Sequence, residues 1–100
     1  MKEQHKKTIN KLKAIFEHDS KYLALIISGS IADNTAKDTS DIDIYLVVTE
    51  KEFQKRLKNK DIFYGNGEIC DYKGGYVDGK IVSLSYLKDA IDNANEPTRA

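Results

Sequence analysis

Cysteine is almost missing from this chain. The single one, Cys70, excludes an internal disulfide and fits a reducing compartment. Net charge is missing too, since 16 Lys plus Arg balance 16 Asp plus Glu. No general electrostatic attraction to nucleic acid follows. Long apolar runs are absent as well. The longest, Tyr22 to Ile27, is far too short to span a bilayer, and the charged N-terminus has no signal-peptide core. The expectation is a soluble, cytoplasmic protein with no membrane partner. Proline occurs once, as Pro97, just beyond a helical pattern, where it reads as a helix stop with chain to follow. The 100 residues make one domain, read as the first domain of a longer protein or as a piece cut at a boundary. A domain of this size still exposes about a third of the surface of its unfolded chain. A deep, enclosed site would therefore need a second copy or a further C-terminal domain.

What is present reads as alternating helices and strands. Residues 3 to 18 carry Ile9, Leu12, Ile15 and Phe16 at helical spacing. The basic run of Lys2, Lys6, Lys7, Lys11 and Lys13 is a solvated helix face. Tyr22 to Ile27 reads as a buried strand. At Ser28-Gly29-Ser30, Gly29 permits a tight turn and Ser30 is expected to cap a short helical turn. Residues 33 to 40 are polar loop. Asp41 to Val48 is the clearest strand. Thr49-x-x-Glu52 is a capping box, so a helix is expected from Glu50, with Phe53 and Leu57 as its apolar pair. Asp61 to Tyr64 is a short strand and Gly65-Asn66-Gly67 a turn. Glu68 to Tyr72 and Tyr76 to Val82 read as a hairpin around Gly74-Gly75. A last helix, capped by Ser83 or Ser85, carries the stripe Leu84, Leu87, Ile91 and Ala94. The fold class is therefore α/β (α+β), a small mixed β-sheet with flanking helices.

The chemistry lies in the centre. Asp41 and Asp43 at i and i+2 on a strand share a face, about 7 Å apart. Two like charges on one face favour a cation between or beside them. Oxygen-only ligands suit Mg²⁺, which keeps water and substrate phosphates in its shell. The Gly29-Ser30 turn is complementary, because backbone N–H groups at a tight turn and helix start favour phosphate oxygens. Neither half is specific by itself. The two together, each beside a buried strand, point to a nucleoside triphosphate held between turn and metal.

Ile27-Ser28-Gly29-Ser30 followed by Ser40-Asp41-Ile42-Asp43-Ile44-Tyr45-Leu46-Val47 resembles the nucleotidyltransferase superfamily that includes DNA polymerase β. The likeness covers about a quarter of the chain. Small bacterial and archaeal domains look most similar, among them the minimal enzymes of toxin–antitoxin pairs and the aminoglycoside nucleotidyltransferases. The resemblance implies Mg²⁺-dependent transfer of a nucleoside monophosphate from an NTP, with ATP the expected donor, to an acceptor hydroxyl, releasing pyrophosphate. It implies that Gly29 and Ser30, with Ser40, hold the nucleotide, that Asp41 and Asp43 bind the metal, and that a third carboxylate activates the acceptor. Asp78 is the first choice for that acid and Asp71 the second. An alternative alignment of Lys80-Ile81-Val82-Ser83-Leu84 puts Ser83 there and leaves the set incomplete. The acceptor, whether small molecule, protein or RNA, is not specified by the sequence, and a homodimer is one way to complete its pocket. The other reading is a catalytically impaired module that binds nucleotide or acts as an antitoxin-like regulatory partner. A metal-dependent sugar transferase also uses Asp-x-Asp but needs a longer chain.

Among the remaining residues, His5 and His18 have no Cys or His at ligand spacing and read as surface histidines. Cys70 reads as a half-buried strand residue. Tyr72 and Tyr76 are expected to pack across the hairpin, with stacking on a base as the other reading. Lys37 and Lys80 are candidates for phosphate contact.

Overall fold

Alternation of apolar and polar residues fixes the central strand. Ile42, Ile44, Leu46 and Val48 are buried on one face, while Asp43 and Tyr45 on the other are only half-buried. The structure, a computed structural model, describes residues 1–94. The order is α1 (Glu3–Phe16), β1 (Tyr22–Ser28), α2 (Gly29–Ala32), β2 (Ile42–Val48), α3 (Glu50–Lys58), β3 (Phe63–Asn66), β4 (Val77–Ser83) and α4 (Leu84–Ala94). The four strands form one mixed sheet in the order β1-β2-β4-β3. β1 runs antiparallel to β2, β2 parallel to β4, and β3 antiparallel to β4. The parallel pair brings the two central strands together with their starts at the same end, which decides where the chemistry lies.

The core is built on one face of this sheet. Ile9, Leu12 and Phe16 of α1 pack with Ile31, with alternate residues of β2, and with Val77 and Ile81 of β4. The buried stripe of α1 is His5, Thr8, Ile9, Leu12 and Phe16. Two expectations change here. Ile15 is half exposed, because α1 turns its stripe toward positions 5, 8, 12 and 16. His5 is fully buried rather than solvated, its ring edge-on to Tyr72 at 5.2 Å between centroids.

Thr49 caps α3 as its capping box predicts, accepting the Glu52 N–H at 3.2 Å. α4 is capped by Ser83, whose hydroxyl accepts the Tyr86 N–H at 3.1 Å. The expected hairpin around Gly74-Gly75 does not form. Strand β3 comes earlier, spanning Gly65 and Asn66, and Glu68 to Tyr72 lies in a loop between β3 and β4. Gly65 takes the strand conformation beside Asp78, and the turn chemistry moves to the longer loop. α2 starts at Gly29 with Ser28 in the N-cap position, two residues before the cap expected at Ser30, and no side-chain capping bond is made. The readings placed on Ile91 and Ala94 as part of a stripe, and on Glu96-Pro97 as a helix stop, fall outside the described side chains and residues.

Candidate active site

Ser28 pairs with Asp43, Asp43 with Asp78, and Asp78 with Gly65. These residues form one rank across β1, β2, β4 and β3. Residues opposite one another on neighbouring strands project to the same face, so Ser28, Asp43 and Asp78 share the face away from the core. Adjacent strands run about 4.8 Å apart, which sets the two carboxylates side by side. The next rank on that face is Ile26, Tyr45, Lys80 and Phe63, also in register. Beyond it Val47 and Val82 are buried, at the end where α4 leaves β4 and contacts both strands.

A cavity of about 420 Å³ opens over these ranks, lined among others by Ser28, Gly29, Asp43, Asp78, Lys80 and Phe63. β1 enters it through a turn that requires glycine. Gly29 has φ +66°, and a Cβ there would stand 2.5 Å from Asp43 Oδ2. Backbone and carboxylate can approach this closely only because the side chain is absent. The Ser28 hydroxyl donates to the Asp43 carbonyl at 3.3 Å and ties the turn to β2. Ser30 is half-buried and does not line the cavity; its carbonyl accepts the Thr35 N–H at 2.9 Å.

Asp41 stands one residue before β2 and is exposed. Its neighbour Ile42 donates its N–H to the Tyr76 carbonyl at 2.9 Å, which extends the β2–β4 pairing toward Asp41. Ser40 anchors the preceding loop rather than the cavity. Its hydroxyl accepts the Lys37 N–H at 2.8 Å and its carbonyl accepts the Tyr72 hydroxyl at 2.8 Å. Asp71 is remote from this group. It lies in the β3–β4 loop, ion-paired with Lys7 at 2.5 Å on the surface, and that pairing holds its carboxyl below the usual carboxylate range. Ser83 sits at the far end of β4, opposite Val48 on the core face, as a helix cap. Of the three candidates for the third position, only Asp78 stands beside Asp43.

Burial pushes the Asp43 carboxyl above its ordinary value, and the charges of Asp78 and Asp41 push it further. Among the described residues none of these three carboxylates accepts a hydrogen bond or forms an ion pair. No group of three or more His, Cys, Asp or Glu side chains among the described residues is gathered closely enough to hold a metal ion. The donor chemistry nevertheless fits a hard divalent cation. All the donors are oxygen, and a cation between Asp43 and its acidic neighbours relieves the repulsion that raises the Asp43 carboxyl.

A family model described as polymerase beta, nucleotidyltransferase, matches residues 10–73. The chain belongs to this nucleotidyltransferase family. Its chemistry at family level is nucleotidyl transfer, with an NTP as substrate and typically a divalent metal. No curated protein matches the chain, and no solved structure does. The family match contains Gly29, Ser30, Asp41 and Asp43 and ends before Asp78, so the place of Asp78 in this nucleotidyltransferase domain rests on strand pairing alone. Phe63 lines the cavity without a local signal in the sequence, while Tyr76, expected to pack across a hairpin or to stack on a base, instead packs on glycines. The Tyr76 phenol lies over Gly65 and Gly67, filling the space that side chains would take beside Asp78. Among the described residues no helix is long and apolar enough to cross a membrane.

Proposed function

We propose that this domain transfers a nucleoside monophosphate from an NTP, with ATP as the donor, to an acceptor hydroxyl, releasing pyrophosphate. The observation that carries the reading is the single rank of Ser28, Asp43 and Asp78, with the Gly29 turn packed against the Asp43 carboxylate. In this reading the backbone N–H groups at Gly29 and Ser30 hold the triphosphate, and Ser40 steadies the Asp41 loop beneath it. Asp41 and Asp43 would hold Mg²⁺. The ion supplies charge neutralisation at the phosphates and Lewis acidity toward the reacting oxygens. Asp78 orients the acceptor hydroxyl and accepts its proton as the new P–O bond forms and the bond to pyrophosphate breaks. A cytoplasmic setting accompanies this reading, on the strength of the unpaired Cys70. The acceptor needs more surface than this open cavity gives, from a second copy or from another domain.

A second reading keeps nucleotide binding and drops transfer. The observation in its favour is that Asp41 is exposed and is not among the residues that line the cavity with Asp43 and Asp78. Thermal unfolding followed with and without Mg²⁺ and ATP, beside an assay for pyrophosphate release, separates the two. Stabilisation with slow pyrophosphate release that Asp78→Asn abolishes supports transfer. Stabilisation with no release over water or any added hydroxyl supports the binding module. No stabilisation contradicts both.

A further inference from the structure

We infer that the β4–β3 half of the cavity is an acceptor subsite for a nucleotide, with its base on Phe63 and its phosphate on Lys80. The inference rests on the nucleotidyl-transfer reading above. Phosphoryl displacement is in line, so the attacking hydroxyl and the leaving pyrophosphate lie on opposite sides of the reacting phosphorus. With the triphosphate at the Gly29 turn on β1 and the reacting phosphorus over Asp43 and Asp78, the pyrophosphate leaves on the β1 side. The acceptor then approaches over β4 and β3.

The surface on that side has a definite chemistry. Phe63 sits on the edge strand with 67% of its surface exposed, an unusual placement for an aromatic ring that supports no core. Lys80 is its partner in register and, among the described residues, the only cation lining the cavity. The Tyr76 ring, laid over Gly65, closes the end of the same wall next to Asp78. A bare ring face serves base stacking, and an ammonium group without an ion-pair partner among the described residues serves a phosphate. An amino sugar such as glucosamine offers neither a base for Phe63 nor a phosphate for Lys80, so the wall favours a nucleotide over that class of acceptor. In the transfer the acceptor oxygen bonds to the α-phosphorus and the bond from that phosphorus to pyrophosphate breaks. The hydroxyl proton passes to Asp78.

The test is calorimetric titration of protein saturated with Mg²⁺ and a non-hydrolysable ATP analogue. The probes are AMP, adenosine, ribose 5-phosphate and glucosamine. AMP is expected to bind best and glucosamine worst. Phe63→Ala and Lys80→Gln should each weaken AMP by about tenfold, the scale of one base stack or one phosphate contact. Phe63→Ala should weaken adenosine and spare ribose 5-phosphate; Lys80→Gln should do the reverse. Neither should change the affinity of the analogue itself. Both residues are exposed, so folding is not at stake. AMP affinity unchanged in both variants, or glucosamine bound in preference, overturns the subsite. Loss of analogue affinity in Phe63→Ala also overturns it, because the donor's own base then occupies the ring. Failure of the analogue to bind the unaltered protein overturns the underlying nucleotidyl-transfer reading instead.

Discussion

Asp43 on β2 and Asp78 on β4 are register partners on parallel strands, facing away from the core. Parallel pairing is what brings residues so far apart in sequence together at the same end of the sheet. The arrangement works against folding, because burial and two neighbouring charges all disfavour ionised Asp43.

Asp43→Asn is therefore expected to stabilise the fold while removing function. Between the ordinary carboxylate value of 3.8 and the raised value in the fold, the folded state binds more protons than the unfolded one. Stability falls as pH rises through that window, and the penalty is fully present at neutral pH. Thermal melts at pH 7 should show a higher midpoint for Asp43→Asn, and the gain should vanish below pH 3.8. Addition of Mg²⁺ and ATP should raise the midpoint of the unaltered protein and leave that of the Asp43→Asn variant unmoved. An equal ligand response in both would remove Asp43 from the site.

Gly29→Ala tests the turn. A left-handed backbone costs an alanine about 1–2 kcal/mol, and the new methyl would collide with the Asp43 carboxylate. Urea unfolding should show a loss of that order, and nucleotide affinity should fall in calorimetry. Normal affinity in a destabilised variant would mean that the turn is structural only.

Asp78→Asn and Asp71→Asn form a matched pair. Pyrophosphate release should drop by about a hundredfold or more on losing a general base at Asp78, with nucleotide affinity kept. The Asp71 change should leave release unchanged, since that carboxylate is occupied by Lys7 on the surface. The opposite pattern would transfer the third position to Asp71.

His5 gives a pH signature unrelated to catalysis. It is fully buried with no hydrogen bond to either ring nitrogen, and burial, then Lys2, lowers its proton affinity, against the Ser40 backbone and Asp38, which favour the charged ring. The unfolded chain binds more protons between that lowered value and 6.5, so stability should decline as pH falls from 6.5 through the window. His5→Leu should be at least as stable as the unaltered protein at about pH 8 and clearly more stable at about pH 5. Parallel pH profiles for the two proteins in denaturant titrations would contradict this.

Much of the site was legible because its signals are local. The Gly29 turn, the period-two burial of Ile42 and Ile44 around Asp43, and the Thr49 cap each depend on residues close in sequence, and the structure keeps them. Asp78 was legible only as an alternation with Val77; its pairing with Asp43 is a long-range contact. The failures share a cause. Gly65, Gly67, Gly74 and Gly75 are all turn formers by composition, and nothing local says that the first lies in an edge strand under a tyrosine. His5 has no metal-ligand spacing and so reads as a surface histidine, yet its place in the 5, 8, 12, 16 stripe of α1 puts it in the core.

The central claim is that Gly29, Ser30, Asp41 and Asp43 act together on one triphosphate and its metal. A crystal of the protein soaked with Mg²⁺ and a non-hydrolysable ATP analogue tests it most directly. The account predicts Mg²⁺ coordinated by Asp41 and Asp43, phosphate oxygens against the Gly29-Ser30 backbone, and Asp78 beside the α-phosphorus. A bound analogue elsewhere, or no metal with the two carboxylates turned apart, would contradict it.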